Sequence, residues 1–256
     1  MTQIPHDHPR YKSLITREMA VEGVKKGITS TQGLIAQGRG EAFDYLIGEY
    51  STESAKEAER AATAHLLLAK KPVISINGNT AALVPDEMVE LSNIIKASLE
   101  VNLFHRSRDR IDRIIEHMES HGAENVLGRK GDSVLDLSHD RRMVDHEGIY
   151  SADVVLVPLE DGDRCEKLSE MDKVVIAIDL NPLSRTSQCA DVTIVDNITR
   201  AFENMLQYAD EMKNLNYDKL REIVDSYDNN RIITLAIDEI TTWLSKFSKE
   251  SGTKRL

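Results

Sequence analysis

Between residues 72 and 195 the chain alternates short apolar runs with longer amphipathic stretches, and this alternation constrains the fold more than any other feature. Residues 72–76, 153–158, 174–178 and 192–195 read as strands, with a short strand at 101–104 and a weak one at 123–127. The intervening segments 85–97, 108–120 and 163–171 carry helical periodicity. Strands separated by helices of this length build βαβ units, so the core is read as α/β with a mostly parallel sheet.

Helices flank this core. On the N-terminal side a helix at 11–26 ends at Gly27, and a short one covers 29–36. Gly38-Arg39-Gly40 punctuates the chain, a helix restarts at 41–47, and a long Ala-rich helix spans 54–70 behind Thr52 or Ser51 as cap. Helices at 198–213, 217–226 and 231–247 follow the last strand. Residues 128–147 are polar and poorly patterned. The 256 residues suffice for one α/β domain with helical additions: 1–70 helical, 71–197 the α/β core, 198–256 C-terminal helices.

Charge and composition exclude several classes of function. With 32 basic and 43 acidic residues the net charge is −11, the opposite of a nucleic-acid-binding footprint. No apolar run reaches the ~18–20 residues of a membrane span, and the polar stretch 1–10 has no signal-peptide character. Cys165 and Cys189 form neither a CxxC pair nor a zinc spacing. A cytoplasmic, reducing location is expected.

In a parallel sheet, ligands bind beyond the carboxyl ends of the strands. Four segments bear chemistry there or nearby. Asn77-Gly78-Asn79-Thr80 after the first strand suits a phosphate or substrate contact through close backbone approach, although on spacing alone an ordinary strand-to-helix turn is the more frequent outcome. Leu159-Glu160-Asp161-Gly162-Asp163-Arg164 offers carboxylates for Mg²⁺, with Asp161 and Asp163 foremost, or an acidic helix start. Asp179-Leu180-Asn181-Pro182-Leu183-Ser184-Arg185-Thr186 fits ribose, base and phosphate contacts, or a proline-containing loop. Neither GxGxxG nor GxxxxGK[ST] is present, so no standard nucleotide motif accompanies it. Gly38-Arg39-Gly40 presents an arginine with little steric cover, and Arg17 lies on the preceding helix; a guanidinium fork suits phosphate, although most single arginines are simply solvated.

Other residues are discounted. His65 reads as structural. His117 and His121 stand four apart on a charged helix without an HExxH motif. The cysteines show no paired base, and the charged run 106–113 reads as a solvated helix face.

These segments together resemble the archaeal phosphopantothenate synthetase (4-phosphopantoate–β-alanine ligase) family. The resemblance runs through His8-Pro9-Arg10-Tyr11, residues 33–45, Pro72-Val73-Ile74-Ser75-Ile76-Asn77-Gly78-Asn79, Ala81-Ala82-Leu83-Val84-Pro85, Glu100-Val101-Asn102-Leu103-Phe104, residues 152–164 and 175–186, and Thr193-Ile194-Val195-Asp196-Asn197. It implies a Rossmann-like α/β core assembled as a homodimer. The implied reaction uses ATP and Mg²⁺ to join 4-phosphopantoate to β-alanine, giving 4′-phosphopantothenate, AMP and pyrophosphate in coenzyme A biosynthesis. By motif position, ATP contacts fall on Arg17, Arg39, Asp179, Leu180, Asn181, Arg185, Thr186, Asn197 and Ile198, with Arg17, Arg39 and Arg185 as the catalytic cations and Asn77, Gly78 and Asn79 on the acid substrate. The chain departs from the family pattern at Gln37, where His is frequent, and at His105, where an aromatic is frequent.

A carboxylate must gain a leaving group before an amine can displace it, so the chemistry expected is acyl adenylation, with Glu160, Asp161 and Asp163 as candidate bases or metal ligands. Two other readings are carried: a ligase acting on unphosphorylated pantoate, and a non-catalytic nucleotide-binding or regulatory protein.

Overall fold

The computed structural model describes residues 4–8, 10–159 and 161–253; Glu160 and Pro9 lie outside them. Seven strands run through it: β1 (Pro72–Ile76), β2 (Ser98–Val101), β3 (Ser133–Val134), β4 (Met143–Val144), β5 (Val154–Pro158), β6 (Val174–Ile178) and β7 (Val192–Ile194). The helices are α1 (Tyr11–Lys25), α2 (Thr31–Ile47), α3 (Glu53–Leu68), α4 (Gly78–Leu83), α5 (Pro85–Ile95), α6 (Arg108–Ser120), α7 (Gly162–Glu170), α8 (Arg185–Cys189), α9 (Ile198–Met212), α10 (Tyr217–Asp225) and α11 (Asn229–Thr253). None of them is long and apolar enough to cross a membrane.

Five strands pair in parallel in the order β2-β1-β5-β6-β7, as the alternating pattern predicts. Side chains on a strand alternate between faces, and two cores result. Ile74, Ile76, Leu156, Ile176 and Ile178 pack with α3, α5, α6 and α9. Val73, Val155, Val157, Val175 and Ala177 pack with Cys165 and Leu168 of α7 and with Leu135, Val144 and Ile149. Burial on both faces explains why the strand sequences are mostly apolar, without polar alternation. From β1 the chain adds β2 on one side and then crosses to β5 on the other. The strand order therefore reverses at the β1/β5 seam, where a ligand crevice opens in doubly wound sheets.

Several boundaries differ from the sequence reading. The helices expected at 29–36 and 41–47 are one helix, α2, running through Gly38-Arg39-Gly40. Packing overrides the glycines' poor helix propensity: Leu34 packs against the main core, while Phe43 and Ile47 join Leu180 and Val195. The strand expected at 101–104 is instead β2, three residues earlier. It runs through Glu100, a fully buried carboxylate that accepts hydrogen bonds from the backbone N–H groups of Asp145 (2.9 Å) and Ile149 (2.6 Å). Asn102 leaves the strand and donates from its side chain to the carbonyls of Arg141 and Met143. Of the weak strand at 123–127, only a Glu100–Leu127 bridge forms. The unpatterned residues 128–147 hold the antiparallel pair of β3 and β4. They are fastened by Asp145, whose carboxylate accepts from Gly128 N (2.8 Å) and Gly131 N (2.6 Å). The loop expected after Asp179 contains α8, capped by Ser184.

Candidate functional site

The carboxyl ends of β1, β5 and β6 open under α2 into two adjoining cavities. One, of about 380 Å³, is lined by the turn after β1, by Leu103 and Phe104, and by Arg110 and Arg141. The other, of about 300 Å³, is lined by Gly40 and Phe43 of α2 and by Asp179, Leu180, Asn181 and Ser184. Ala36, Arg39, Leu159 and Asp161 line both.

At the first cavity Asn77, Gly78 and Asn79 form a stiff wall. Asn77 caps α4: its Oδ1 accepts from Asn79 N and Thr80 N, and its Nδ2 donates to the Pro158 carbonyl at 2.8 Å, tying β1 to β5. The Asn79 Nδ2 donates to the Gly33 carbonyl at 2.9 Å, tying α4 to α2. Both asparagines hold the scaffold through these donors, so what this turn offers a ligand is chiefly a close backbone approach at Gly78.

Two arginines that sequence reasoning missed also face this cavity. Arg110 was placed on a solvated face, yet it is half-buried and turned inward, donating from Nε to the Ile28 carbonyl (2.9 Å) and from Nη1 to the His105 carbonyl (3.3 Å). Burial lowers its pKa. Its place at the start of α6, just after a strand end, was the available signal. Arg141 comes from the unpatterned segment, is 8% exposed, and meets Asp161 at 3.4 Å. Burial, and then the charge of Arg164, brings its pKa down to about 10. Arg164 is itself fully buried against Ser75.

In the second cavity Asp179, at the end of β6, accepts from Ser184 Oγ (2.6 Å) and Asn181 N (2.9 Å). Burial raises its pKa, while Ser184, Asn181 and the charge of Arg39 oppose the rise. Asn181 Oδ1 accepts from Leu183 N at 2.9 Å. Leu180 contributes an apolar wall shared with Ile47, Val195 and Ala236. Arg39 is exposed and makes no hydrogen bond or ion pair within 4 Å among the described residues.

The other ATP-site candidates lie apart. Arg185 is exposed and pairs with Glu166 of α7 at 2.8 Å, lining neither cavity. Thr186 is buried at the base of α8. Arg17 and Asn197 meet at a separate small cleft of about 60 Å³, together with Gln37, Asp44 and Arg200. There Arg17 grips Glu41 through two bonds, of 3.0 and 2.5 Å. Partial burial pushes the Glu41 carboxyl up, but hydrogen bonds from Arg17, Ser13 and Tyr45 outweigh it and bring it down to about 2. Asn197 caps α9 and donates to Asp44. The Ile198 side chain is in the main core, leaving only its backbone for a ligand.

Asp163 faces His139 at 3.0 Å, and His139 stacks on Phe104. Among the described residues no three His, Cys, Asp or Glu side chains converge as a metal site. Mg²⁺ in nucleotide sites is commonly held by one or two carboxylates plus substrate phosphates. A half-buried Asp161 on the wall between two arginine-lined cavities suits that donor set.

The profile described as phosphopantothenate/pantothenate synthetase matches residues 54–243. The chain belongs to the phosphopantothenate/pantothenate synthetase family. Curated relatives extend this similarity to nearly the whole length. The chain is 62% identical to the 4-phosphopantoate–beta-alanine ligase of Methanosarcina mazei, over 98% of this chain and 100% of the relative. It is 49% identical to the protein of that name in Thermococcus kodakarensis, over 100% of this chain and 98% of the relative. A third relative so named, from Thermococcus onnurineus, is 51% identical over 97% and 96%. The span matched by the synthetase profile holds every strand-end residue of both cavities. Arg17 and Arg39, on α1 and α2, lie before it, in the part that the full-length relatives cover.

His117, His121 and Cys165, outside these cavities, have structural explanations. His117 Nε2 reaches the Ala81 carbonyl at 3.0 Å, and His121 pairs with Asp86. Cys165 is buried, which pushes its thiol far up and leaves little thiolate for nucleophilic work.

Proposed function

We propose that the chain is an ATP-dependent ligase that condenses 4-phosphopantoate with β-alanine to 4′-phosphopantothenate, releasing AMP and pyrophosphate. The ligase activity rests on the relatives so named across the whole chain. The observation that carries the mechanism is the pair of cavities sharing Arg39 and Asp161: an acid bound in one and a nucleotide in the other would meet at that wall. The carboxylate oxygen attacks the α-phosphorus and pyrophosphate leaves. The amine of β-alanine then attacks the acyl carbon, AMP leaves, and the amine gives up a proton.

Arg39, set at the junction and without an ion pair among the described residues, offsets the charge that grows on the phosphoryl oxygens. Arg17 and Arg185 enter by exchanging Glu41 and Glu166 for phosphate oxygens; the Arg185–Glu166 pair is exposed and cheap to break, whereas the partly buried Glu41 keeps Ser13 and Tyr45 as donors when Arg17 leaves it. Asp179 and Asn181 line the nucleotide side, with Leu180 as its apolar wall. Thr186, Asn197 and Ile198 would contribute through backbone contacts or after rearrangement. Asn77, Gly78 and Asn79 line the acid side. Mg²⁺, held by Asp161 or Asp163 with the phosphates, would supply charge neutralisation. Of the candidate bases within the described residues, Asp161 lies on the shared wall and Asp163 does not; Glu160 lies outside the described residues. A homodimer in the cytoplasm completes the proposal, with light scattering as the test of its assembly.

Product analysis tests the reaction. The purified protein is incubated with ATP, Mg²⁺, β-alanine and either 4-phosphopantoate or pantoate. AMP with 4′-phosphopantothenate is the expected outcome; ADP with orthophosphate would replace the adenylate by an acyl phosphate.

A further inference from the structure

The family description spans both phosphopantothenate and pantothenate synthetases, so membership leaves open which part of the chain tells a phosphate from a hydroxyl. Several arginines around the helices and loops of the site are paired with acids: Arg17 with Glu41, Arg141 with Asp161, Arg185 with Glu166 and Arg200 with Asp44. Arg110 is not. Its hydrogen bonds go to the carbonyls of Ile28 and His105, and no carboxylate pairs with it among the described residues.

The surroundings of Arg110 fit a recognition role. It is half-buried, and burial lowers its pKa with no acid opposing the effect. Leaving a cation unpaired in such a place is costly unless an anion completes it. Two backbone carbonyls fix the plane of the guanidinium, and a guanidinium has five N–H donors, so donors remain for a ligand. Gly78 makes the room: a Cβ there would lie 2.5 Å from Arg110 Nη2 and 2.5 Å from the Ile28 carbonyl oxygen. The same cavity holds Arg39, a second cation without an ion pair among the described residues. A fixed guanidinium fork is the donor geometry that matches a phosphate.

We propose that Arg110 is the specificity-determining residue that reads the phosphate of the acyl substrate, held in plane by the Ile28 and His105 carbonyls and admitted by Gly78. The inference rests on the ligase reading above and adds to it the group that makes the phosphorylated acid the substrate. A site built around a charged donor rejects an analogue that leaves the donor unpaired.

The test compares wild type with Arg110→Gln and Arg110→Lys, each first checked for a cooperative melt. kcat/KM is measured for 4-phosphopantoate and for pantoate, and inorganic phosphate is titrated as a competitor of 4-phosphopantoate. The expected result for Arg110→Gln is a loss of about 10²- to 10³-fold on 4-phosphopantoate, carried mainly by KM, with a far smaller loss on pantoate. The KM for ATP should stay within about threefold and competition by phosphate should weaken at least about tenfold, with partial recovery in Arg110→Lys. Equal losses on both acids, or unaltered competition by phosphate in either variant, would overturn the proposal and leave Arg110 as a structural tie between α6 and Ile28. Wild type that turns over neither acid would instead remove the ligase reading, and this inference with it.

Discussion

Asn79 donates a hydrogen bond to the carbonyl of Gly33 at 2.9 Å, and a Cβ on Gly33 would overlap the Asn79 Oδ1. The first turn of α2 is thereby stapled onto the strand-end turn that walls the acid cavity. A methyl group at 33 would have to displace the Asn79 and Thr29 side chains, and with Asn79 the hydrogen bond that joins the two elements. Gly33→Ala would gain about 1 kcal/mol of helix propensity, but overpacking of this kind costs about 1–3 kcal/mol. The expected net effect is a modest loss of stability with a disproportionate loss of activity. A variant that melts higher than wild type and keeps full kcat/KM would show that the staple does not position the site.

Arg39 is exposed and carries no ion pair among the described residues, so its removal should leave the fold intact. Arg39→Ala is expected to lower kcat/KM by about 10²-fold, on the order of 3 kcal/mol, with an unchanged melting temperature. Steady-state kinetics within twofold of wild type would take Arg39 out of the site.

Glu59, on α3, is wholly buried. Burial first, and then the charge of Asp196, push its carboxyl up from 4.5 to about 9, against a 2.9 Å hydrogen bond from Asn204. The folded protein thus holds a proton that the unfolded chain has released. Stability contributed by this group is complete below pH 4.5 and is lost as pH rises through about 9. Glu59→Gln keeps an acceptor for Asn204 and abolishes the titration. Melting temperatures at pH 6 and pH 8.5 should therefore differ less in the variant than in wild type. Equal differences in the two proteins would mean that Glu59 ionises normally.

Asp145 holds the Gly128 and Gly131 amides, and its own amide is held by Glu100. Asp145→Ala would leave buried donors without acceptors, at about 1–3 kcal/mol each. Hydrogen exchange should accelerate selectively in residues 128–148, and activity should fall because Arg141 is carried by the same segment. Exchange that is unchanged there would show the segment to be anchored elsewhere.

What could be read from the sequence was whatever depends on neighbours along the chain. The apolar runs at 72–76, 153–158 and 174–178 became β1, β5 and β6 because strands buried on both faces need no polar alternation, and the parallel order followed from the helices between them. Residues 108–120 became α6 without a shift at either end. The errors lie where a remote segment decides. Gly38 and Gly40 sit inside a helix because α2 packs on the core, on Leu180 and on Val195. Glu100 is a strand residue because amides from residues 145 and 149 satisfy its carboxylate. Arg110 read as part of a solvated helix face and Arg141 lay in an unpatterned segment, since nothing local shows that the Ile28 carbonyl or Asp161 is waiting for them. The candidates Asn77, Gly78, Asn79, Asp161, Asp179 and Asn181 do line the two cavities, because strand ends can be located from periodicity. Whether Arg17 or Arg185 can reach the same place depends on their partners Glu41 and Glu166, and sequence spacing carries no information about those pairs.

The partition between the two cavities has a consequence for inhibition. Among the described residues it is built from Ala36 and Arg39 on one side and Leu159 and Asp161 on the other, so few side chains stand between ligands in the two spaces. A compound carrying an acid group and an adenosine group on a short rigid tether could occupy both spaces at once. Its second half would then bind at an effective concentration in the millimolar range or above. Two weak fragments, each selected against one cavity, would become a tight ligand through the tether alone.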